Sequence, residues 1–406
     1  MATRGAVQPL REKAIATASN ETGSSLQHIK SAIFLSGLSV FAQLYLFQPL
    51  LPLLSQNFNT TPAESSFTVS ASTIGMAAGL FVLAFLADSL SRKRLMSFSL
   101  LASSIVTLAT SLVHNFGVLV FLCFLKGLLV SGVSAVALAY LSEEVKPSKQ
   151  GMAISLYLAG NTIGGMAGRI IVGLLSAWVS WQWCVFVIGL VSLGIGLVFI
   201  RLLPPSRNFE PARIGFRPKL IQMTSFLKDH LVIRLYFTGA LLVGTFVSIY
   251  NYLGFRLESA VFHLPHYVVA FIFLMYAIGV PGSFAAARWT DRFSAQRVIK
   301  AFIFALIIAL ALLLTTNTIV LTIGLALLTF SFFGAHTIAS RMVSQHAVVA
   351  KSTATSLYWL FYYIGSSFIG SSSGTVLHDY SWAFFIGSLL VIAGLSFLLT
   401  WQIKSV

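Results

Sequence analysis

Along this chain, long apolar runs alternate with short polar stretches. Twelve runs stand out, at 31–53, 66–87, 95–114, 117–141, 152–177, 184–203, 235–255, 266–287, 299–315, 318–340, 354–376 and 382–402. A helix rises about 1.5 Å per residue and the hydrocarbon core of a bilayer is about 30 Å thick, so roughly 20 apolar residues cross it. The runs lack the two-residue alternation of barrel strands. Helices satisfy their own backbone hydrogen bonds in lipid. The pattern therefore predicts an all-α membrane protein with twelve transmembrane helices.

Polar punctuation adds a repeat. "LADSLSRKR" (86–94) returns as "WTDRFSAQR" (289–297), pairing Asp88 with Asp291, Ser91 with Ser294 and Arg94 with Arg297, each 203 residues apart. Ser155-Leu156-Tyr157 matches Ser356-Leu357-Tyr358, Gly164 matches Gly365, Gly173 matches Gly374 and Trp181 matches Trp382, all 201 apart. Six spans separate the copies, so both halves start on the same side and form two parallel six-helix repeats. The expected organisation is a tail at 1–30, one bundle at 31–203, a linker at 204–234 and a second bundle at 235–406. The linker holds Pro204, Pro205, Pro211 and Pro218. Within it, Lys219–His230 reads either as a surface helix with Leu220, Met223 and Leu227 toward lipid or as a solvated basic segment.

Composition strengthens the membrane reading: only 9% of residues are charged, against about 25% in soluble domains. The formal charge of +15 raises nucleic acid as a partner, but the basic residues form no single face. They follow sidedness instead. With the N-terminus inside, every Lys and Arg except Lys126, Arg169 and Arg256 falls on the inner side, as the positive-inside rule requires. Both termini are thus expected in the cytoplasm and the chain in a plasma or inner membrane. The first run is long enough to span and lacks a cleavage site, so no cleaved signal is expected. Cys123 and Cys184 lie in apolar runs and read as small hydrophobes, not as a disulfide.

Polar residues inside the runs are the candidates for function, because such groups tend to face the bundle interior. In "YLFQPLLP", Tyr45 and Gln48 share a helix face, and Pro49 and Pro52 bend the first span. Span 5 contributes Asn161, span 7 Tyr250 and Asn251, span 10 His336 and span 11 Tyr362. Gly160, Gly164 and Gly168 recur every four residues and let another helix approach closely, with Gly365 as the counterpart in the second half. Two cations lie within spans. Lys126 is deep in span 4; Arg169, in the outer third of span 5, either lines a cavity or snorkels to the outer headgroups. No Asp or Glu lies inside any run, Glu64, Glu258 and Asp379 falling at outer ends. A buried cation needs a partner, so the expected solute is neutral or anionic. His336 and Lys126 are the proton-coupling candidates within the spans, and His336 reads equally as a hydrogen-bonded packing residue.

These features resemble the major facilitator superfamily over nearly the whole chain. "ADSLSRKR" is similar to that family's loop motif, although Ala84 and Ser91 stand where glycine is usual and Ser89 where Arg is usual. The resemblance implies a cytoplasmic gate latch formed by Asp88, Arg92, Arg94, Asp291 and Arg297. "GNTIGGMAGR" resembles the glycine-rich signature of the family's proton-linked exporters, with Gly165 in place of proline and Arg169 in place of a final glycine. Cys123 stands four residues before Gly127, where the family's span-4 motif carries Arg. "YLFQP", "GNTIGGMAGR", "YNYLGF", "GAHTIAS" and "SLYWLFYYIGSS" together resemble the YnfM-type branch of sugar-efflux-like permeases. The resemblance implies a monomeric secondary transporter moving a small molecule by alternating access, with proton-coupled efflux. An uncoupled facilitator and a multidrug exporter are the alternatives on the same scaffold. No HExxH, GxSxG or Walker loop is present, which leaves no enzyme motif, cofactor or metal to expect.

Overall fold

Each apolar run becomes a helix, and the breaks fall at Pro, Asn and Ser. In the computed structural model the described residues are 7–209, 211, 216–347 and 350–401, with side chains described for all of these except 7–25, 88, 216 and 352. Span 1 is α1 (Val7–Leu44), a 3-10 turn (Gln48–Leu50) and α2 (Leu51–Phe58). Span 2 is α3 (Pro62–Ser65) with α4 (Phe67–Leu86), and spans 3 to 6 are α5 (Arg92–Thr110), α6 (Phe116–Glu144), α7 (Pro147–Leu175) and α8 (Trp181–Leu202). The linker carries α9 (Phe216–Lys228). Span 7 is α10 (His230–Glu258), and span 8 is α11 (His266–Val269), a 3-10 segment (Ala270–Met275) and α12 (Tyr276–Thr290). Spans 9 to 12 are α13 (Ala295–Leu312), α14 (Thr318–His346), α15 (Lys351–Asp379) and α16 (Trp382–Trp401). The proline-rich break in span 1 falls where the sequence places it: Pro49 lies in the 3-10 turn and Pro52 in the first turn of α2.

Ten spans are long and apolar enough to cross a bilayer by length and composition alone; α5 and α15 are not among them. Arg92, Lys93 and Arg94 at the start of α5, and hydroxyls in both helices, lower their hydropathy. α5 buries Ser99, Ser103, Ser104, Thr107 and Thr110, and α15 buries Ser366, Ser367, Ser371 and Ser373. Such side chains return hydrogen bonds to their own helix or to a neighbour, as Ser104 does to Leu100 O (2.7 Å) and Thr107 to Ser103 O (2.8 Å).

The repeat is visible in the packing. α1 runs along α7 and α10 along α15; α4 runs along α6 and α12 along α14. Glycine makes the first two contacts close. A Cβ at Gly164 would strike the Leu38 carbonyl, and one at Gly365 would strike the Ala240 carbonyl. At Gly160 the obstacle is Phe34 O, and at Gly168 it is Ala42 Cα at 2.9 Å. Apolar cores form in each half, one around Met96, Val133 and Cys184, the other around Phe246, Ile303 and Phe332. Lys126, also expected in the interior, has no exposed surface.

The linker helix corrects one expectation. Met223 does not face lipid; it is buried and joins the core of the second half, while Leu220 and Leu227 stay exposed. α9 thus rests on α10 and α15, because one apolar stripe suffices for docking and Met223 is its centre. Asp229 then caps α10 by accepting from Leu231 N (2.9 Å) and Val232 N (3.0 Å).

Candidate functional site

The break in span 1 sets the site. Where α1 stops, Tyr45 and Gln48 turn inward and are buried. Gln48 then bridges the two halves. Its Oε1 accepts from Arg169 Nε at 2.7 Å, and its Nε2 donates to Asn251 Oδ1 at 2.7 Å. Asn251 Nδ2 continues to Gly370 O at 3.2 Å. Four residues from spans 1, 5, 7 and 11 are thereby threaded on one polar chain.

Arg169 is 2% exposed, so the choice left open by its sequence position resolves inward, away from the headgroups. Its Nη1 donates to Gly165 O at 2.7 Å. Tyr45 and Tyr276 hold the guanidinium from two sides, with ring centroids 4.3 and 4.5 Å away, and Phe273 lies at 5.5 Å. Such cation–π contacts contribute about 2 kcal/mol or more where water is excluded. Among the described residues no carboxylate pairs with Arg169. Lys126 repeats the theme in the first half: its Nζ is fully buried, has no hydrogen-bond partner among the described residues, and lies 4.7 Å from the Phe47 ring.

The other candidates spread around this centre. Tyr250 is hydrogen-bonded to Thr329 at 2.8 Å and stacks on Phe273. Tyr362 packs against the cores of both halves. His336 sits deeper in the second half, its Nδ1 2.9 Å from Tyr358 Oη, with Phe332, Trp359 and Tyr362 around the ring. Asn161 is not brought to the polar chain; it lies against Gly37 of α1.

Every described hydrogen bond that crosses between the halves lies toward the end of the bundle that carries the α2–α3 and α10–α11 loops. Besides Gln48–Asn251, Tyr252 Oη donates to Ser66 Oγ at 2.9 Å, Ser367 Oγ donates to Ser70 O at 3.0 Å and meets Thr73 Oγ1 at 2.6 Å, and Ser70 meets Ser371. Further in, apolar contact continues the seam: Leu360 and Tyr363 of α15 join the core of the first half, and Ala84 of α4 packs on the core of the second.

Of the residues expected to form a cytoplasmic latch, Arg92 pairs with Glu143, its Nη2 2.9 Å from Oε1, while its Nη1 donates to Ala87 O at 2.7 Å and the Phe209 ring lies 4.7 Å away. It ties the start of α5 to the end of α6. Arg94, Asp291 and Arg297 are exposed and have no ion pair among the described residues. The Asp88 side chain lies outside the described residues.

Sequence reasoning missed Phe273 and Tyr276, which are aromatics in an otherwise apolar run, and the Ser70, Thr73, Ser367 and Ser371 seam. The serine-rich face of α15 was the available signal.

Comparison with known proteins agrees with this architecture. The family model described as Major Facilitator Superfamily matches residues 33–370. The inner membrane transport protein YnfM of Escherichia coli K12 is 37% identical over 365 residues, covering 89% of this chain and 88% of the relative. The uncharacterized MFS-type transporter YybF of Bacillus subtilis is 34% identical over 362 residues, covering 89% of each. Among solved structures, the D-xylose–proton symporter superposes with a TM-score of 0.74 at 12% identity, covering 92% of this chain and 97% of its own. A bacterial homologue of human Spinster in an inward-facing and occupied conformation gives 0.72 at 15% identity, over 93% and 97%. At such identities these two structures speak to the twelve-helix fold alone. With the fold, the family model and relatives this similar in sequence, the chain belongs to the major facilitator superfamily of membrane transporters.

Proposed function

We propose that this transporter moves a small neutral or anionic solute across a plasma or inner membrane by alternating access, as proton-coupled efflux, with both termini and the linker in the cytoplasm. The observation that carries the solute class is Arg169: a guanidinium buried between the halves, bonded to neutral groups and aromatic faces, with no carboxylate pairing it among the described residues. A cation held this way can exchange Gln48 for a substrate oxygen at small cost, and the tyrosines give a sugar or planar acid a surface to stack on. A site for organic cations would instead need a buried acid. Tyr45, Gln48, Lys126, Asn161, Tyr250, Asn251, His336 and Tyr362 are assigned as cavity residues with Arg169. The exposed Arg94, Asp291 and Arg297, with Asp88 and Arg92, remain the proposed cytoplasmic gate, Arg92 acting through Glu143. The chain is taken to work as a monomer.

Alternating access follows from the unequal seam. Among the described residues, hydrogen bonds between the halves gather at one end of the seam, and a seam that can part there supplies one of the two states that alternating access needs. The test uses membrane vesicles loaded with candidate solutes. Arg169→Gln is expected to lower transport efficiency roughly 10-fold or more, the loss typical of a charge-assisted hydrogen bond. Lys126→Met is expected to weaken it as well. Unchanged flux in both variants would remove the charge argument.

A further inference from the structure

The outer seam also holds a titratable pair that the reading above leaves unused. Glu258 ends α10 and His266 opens α11, and the loop between them brings His266 Nδ1 to 2.6 Å from Glu258 Oε1. Both side chains are mostly shielded, at 16% and 19% exposure. The second ring nitrogen, Nε2, is buried and has no hydrogen-bond partner among the described residues. His266 lines a cavity of about 10 Å³ together with Gln48, Pro49, Pro52, Tyr250 and Asn251. That is room for about one water. The imidazole therefore reaches from a carboxylate of the second half to the place where Gln48 of the first half meets Asn251.

The chemistry of the ring decides what a proton would do here. With Nδ1–H donated to the Glu258 carboxylate, Nε2 carries the lone pair, and an arriving proton goes to that atom. The new N–H needs an acceptor. The side-chain oxygens of the lining residues belong to Gln48, Asn251 and Tyr250, and each is already engaged: Gln48 Oε1 accepts from Arg169, Asn251 Oδ1 from Gln48, and Tyr250 Oη is bonded to Thr329. A protonated His266 thus competes with Arg169 for one oxygen, inside the chain that joins the halves. Left unsatisfied, a charged N–H in so small and apolar a space is costly, and parting the seam to admit water relieves that cost. The charged groups in the outer parts of the elements packed against α11 are Arg256 and Glu258 of α10 and Arg169 of α7. Tyr250 and Tyr252 of α10 and Tyr276 of α12 are the titratable hydroxyls there, and His263 stands in the intervening loop. The 3-10 segments and α2 contribute no titratable or charged group.

We propose that His266, held by Glu258, is a proton-binding site in the outer seam, and that its protonation opens that seam by breaking the Arg169–Gln48–Asn251 chain. This inference rests on the proton-coupled reading above, and it gives the external proton an entry residue close to Arg169.

The test needs neither substrate nor gradient. Ala177 and Ala260 are exposed on outer loops of the two halves, and the native Cys123 and Cys184 are buried. Spin labels on Ala177→Cys and Ala260→Cys, with the chain in nanodiscs, report the separation of the halves. The fraction at long distance is expected to rise as the medium is acidified from about pH 8 to about pH 5. His266→Gln, which keeps a donor toward Glu258, is expected to abolish that rise, and Glu258→Gln to displace it along the pH axis. A wild-type distance that ignores pH, a His266→Gln protein that keeps the full response, or a Glu258→Gln response that stays in place would each overturn the assignment. Proton coupling fails by a separate readout, namely solute flux in proteoliposomes that is indifferent to an imposed pH gradient.

Discussion

At Arg169, three kinds of contact meet on one side chain: a side-chain amide, a helix carbonyl and two tyrosine faces. Each was readable in part. Tyr45, Gln48, Tyr250, Asn251 and Arg169 stand out in the sequence because a polar group in an apolar run has few places to go but inward, and the structure brings all five together. Tyr276 and Phe273 carry no such mark, since an aromatic in a greasy helix faces lipid, core or cavity with equal ease. His266 was hidden for another reason: it follows Pro265 as the first residue of a run, where a polar side chain marks only a span end. His336 illustrates the opposite case. It is polar and within a span, yet its Nδ1 is engaged with Tyr358 and rings surround it. The packing reading of this half-buried side chain predicts that His336→Ala lowers thermal stability by about 1–3 kcal/mol while proton-dependent flux persists. Loss of the proton dependence in a variant that remains folded would make His336 a carrier of the proton after all.

Among the elements, the α1–α7 and α10–α15 pairs repay attention because glycine sets their distance. Gly164 and Gly365 face backbone carbonyls with no room for a methyl group, whereas Gly387 and Gly394 on α16 meet nothing within 4 Å. Gly164→Ala and Gly365→Ala are therefore expected to cost about 1–3 kcal/mol each, as overpacking does. Gly387→Ala and Gly394→Ala are expected to be neutral or slightly stabilising, since Ala is the better helix former. Melting curves in detergent compare the four. The periodicity of these glycines made the contact predictable, but not the partner helix, which depends on the bundle. At the inner ends, Asp229 joins the cap of α10 to His346 of α14 at 2.9 Å. Burial pushes this carboxyl up, but the hydrogen bonds from Val232 N–H and His346 outweigh it, and the group is held below its ordinary value. A lowered carboxyl contributes stability above its unfolded value, about 3.9, and loses it as pH falls through the lower folded value. Asp229→Ala should thus cost about 1 kcal/mol at neutral pH through the lost cap. That difference should begin to shrink below about pH 4 and vanish only once the pH has fallen past the carboxyl's lowered folded value. A deficit that persists there would show that the cap is not its source.

For the whole molecule, duplication and charge sidedness were legible because both are patterns over hundreds of residues, and the paired packing of α1 with α7 and α10 with α15 follows the duplication. The joint between the halves was not legible. It is built from serine and threonine hydroxyls on α4 and α15, which in sequence look the same as hydroxyls that bond back to their own helix. The charged loops show the same limit: the sequence marks Arg92 as a gate residue, but only the fold reveals Glu143 as its partner. The account as a whole claims that a buried, acid-free cationic site between two parallel bundles selects neutral or anionic solutes and couples them to protons. Counterflow in proteoliposomes, run with sugars, organic acids and organic cations at matched concentration with and without an imposed pH gradient, tests this most directly. The account predicts flux of a neutral or anionic solute that responds to the gradient and collapses in Arg169→Gln. Gradient-independent flux, or transport confined to organic cations, would contradict it.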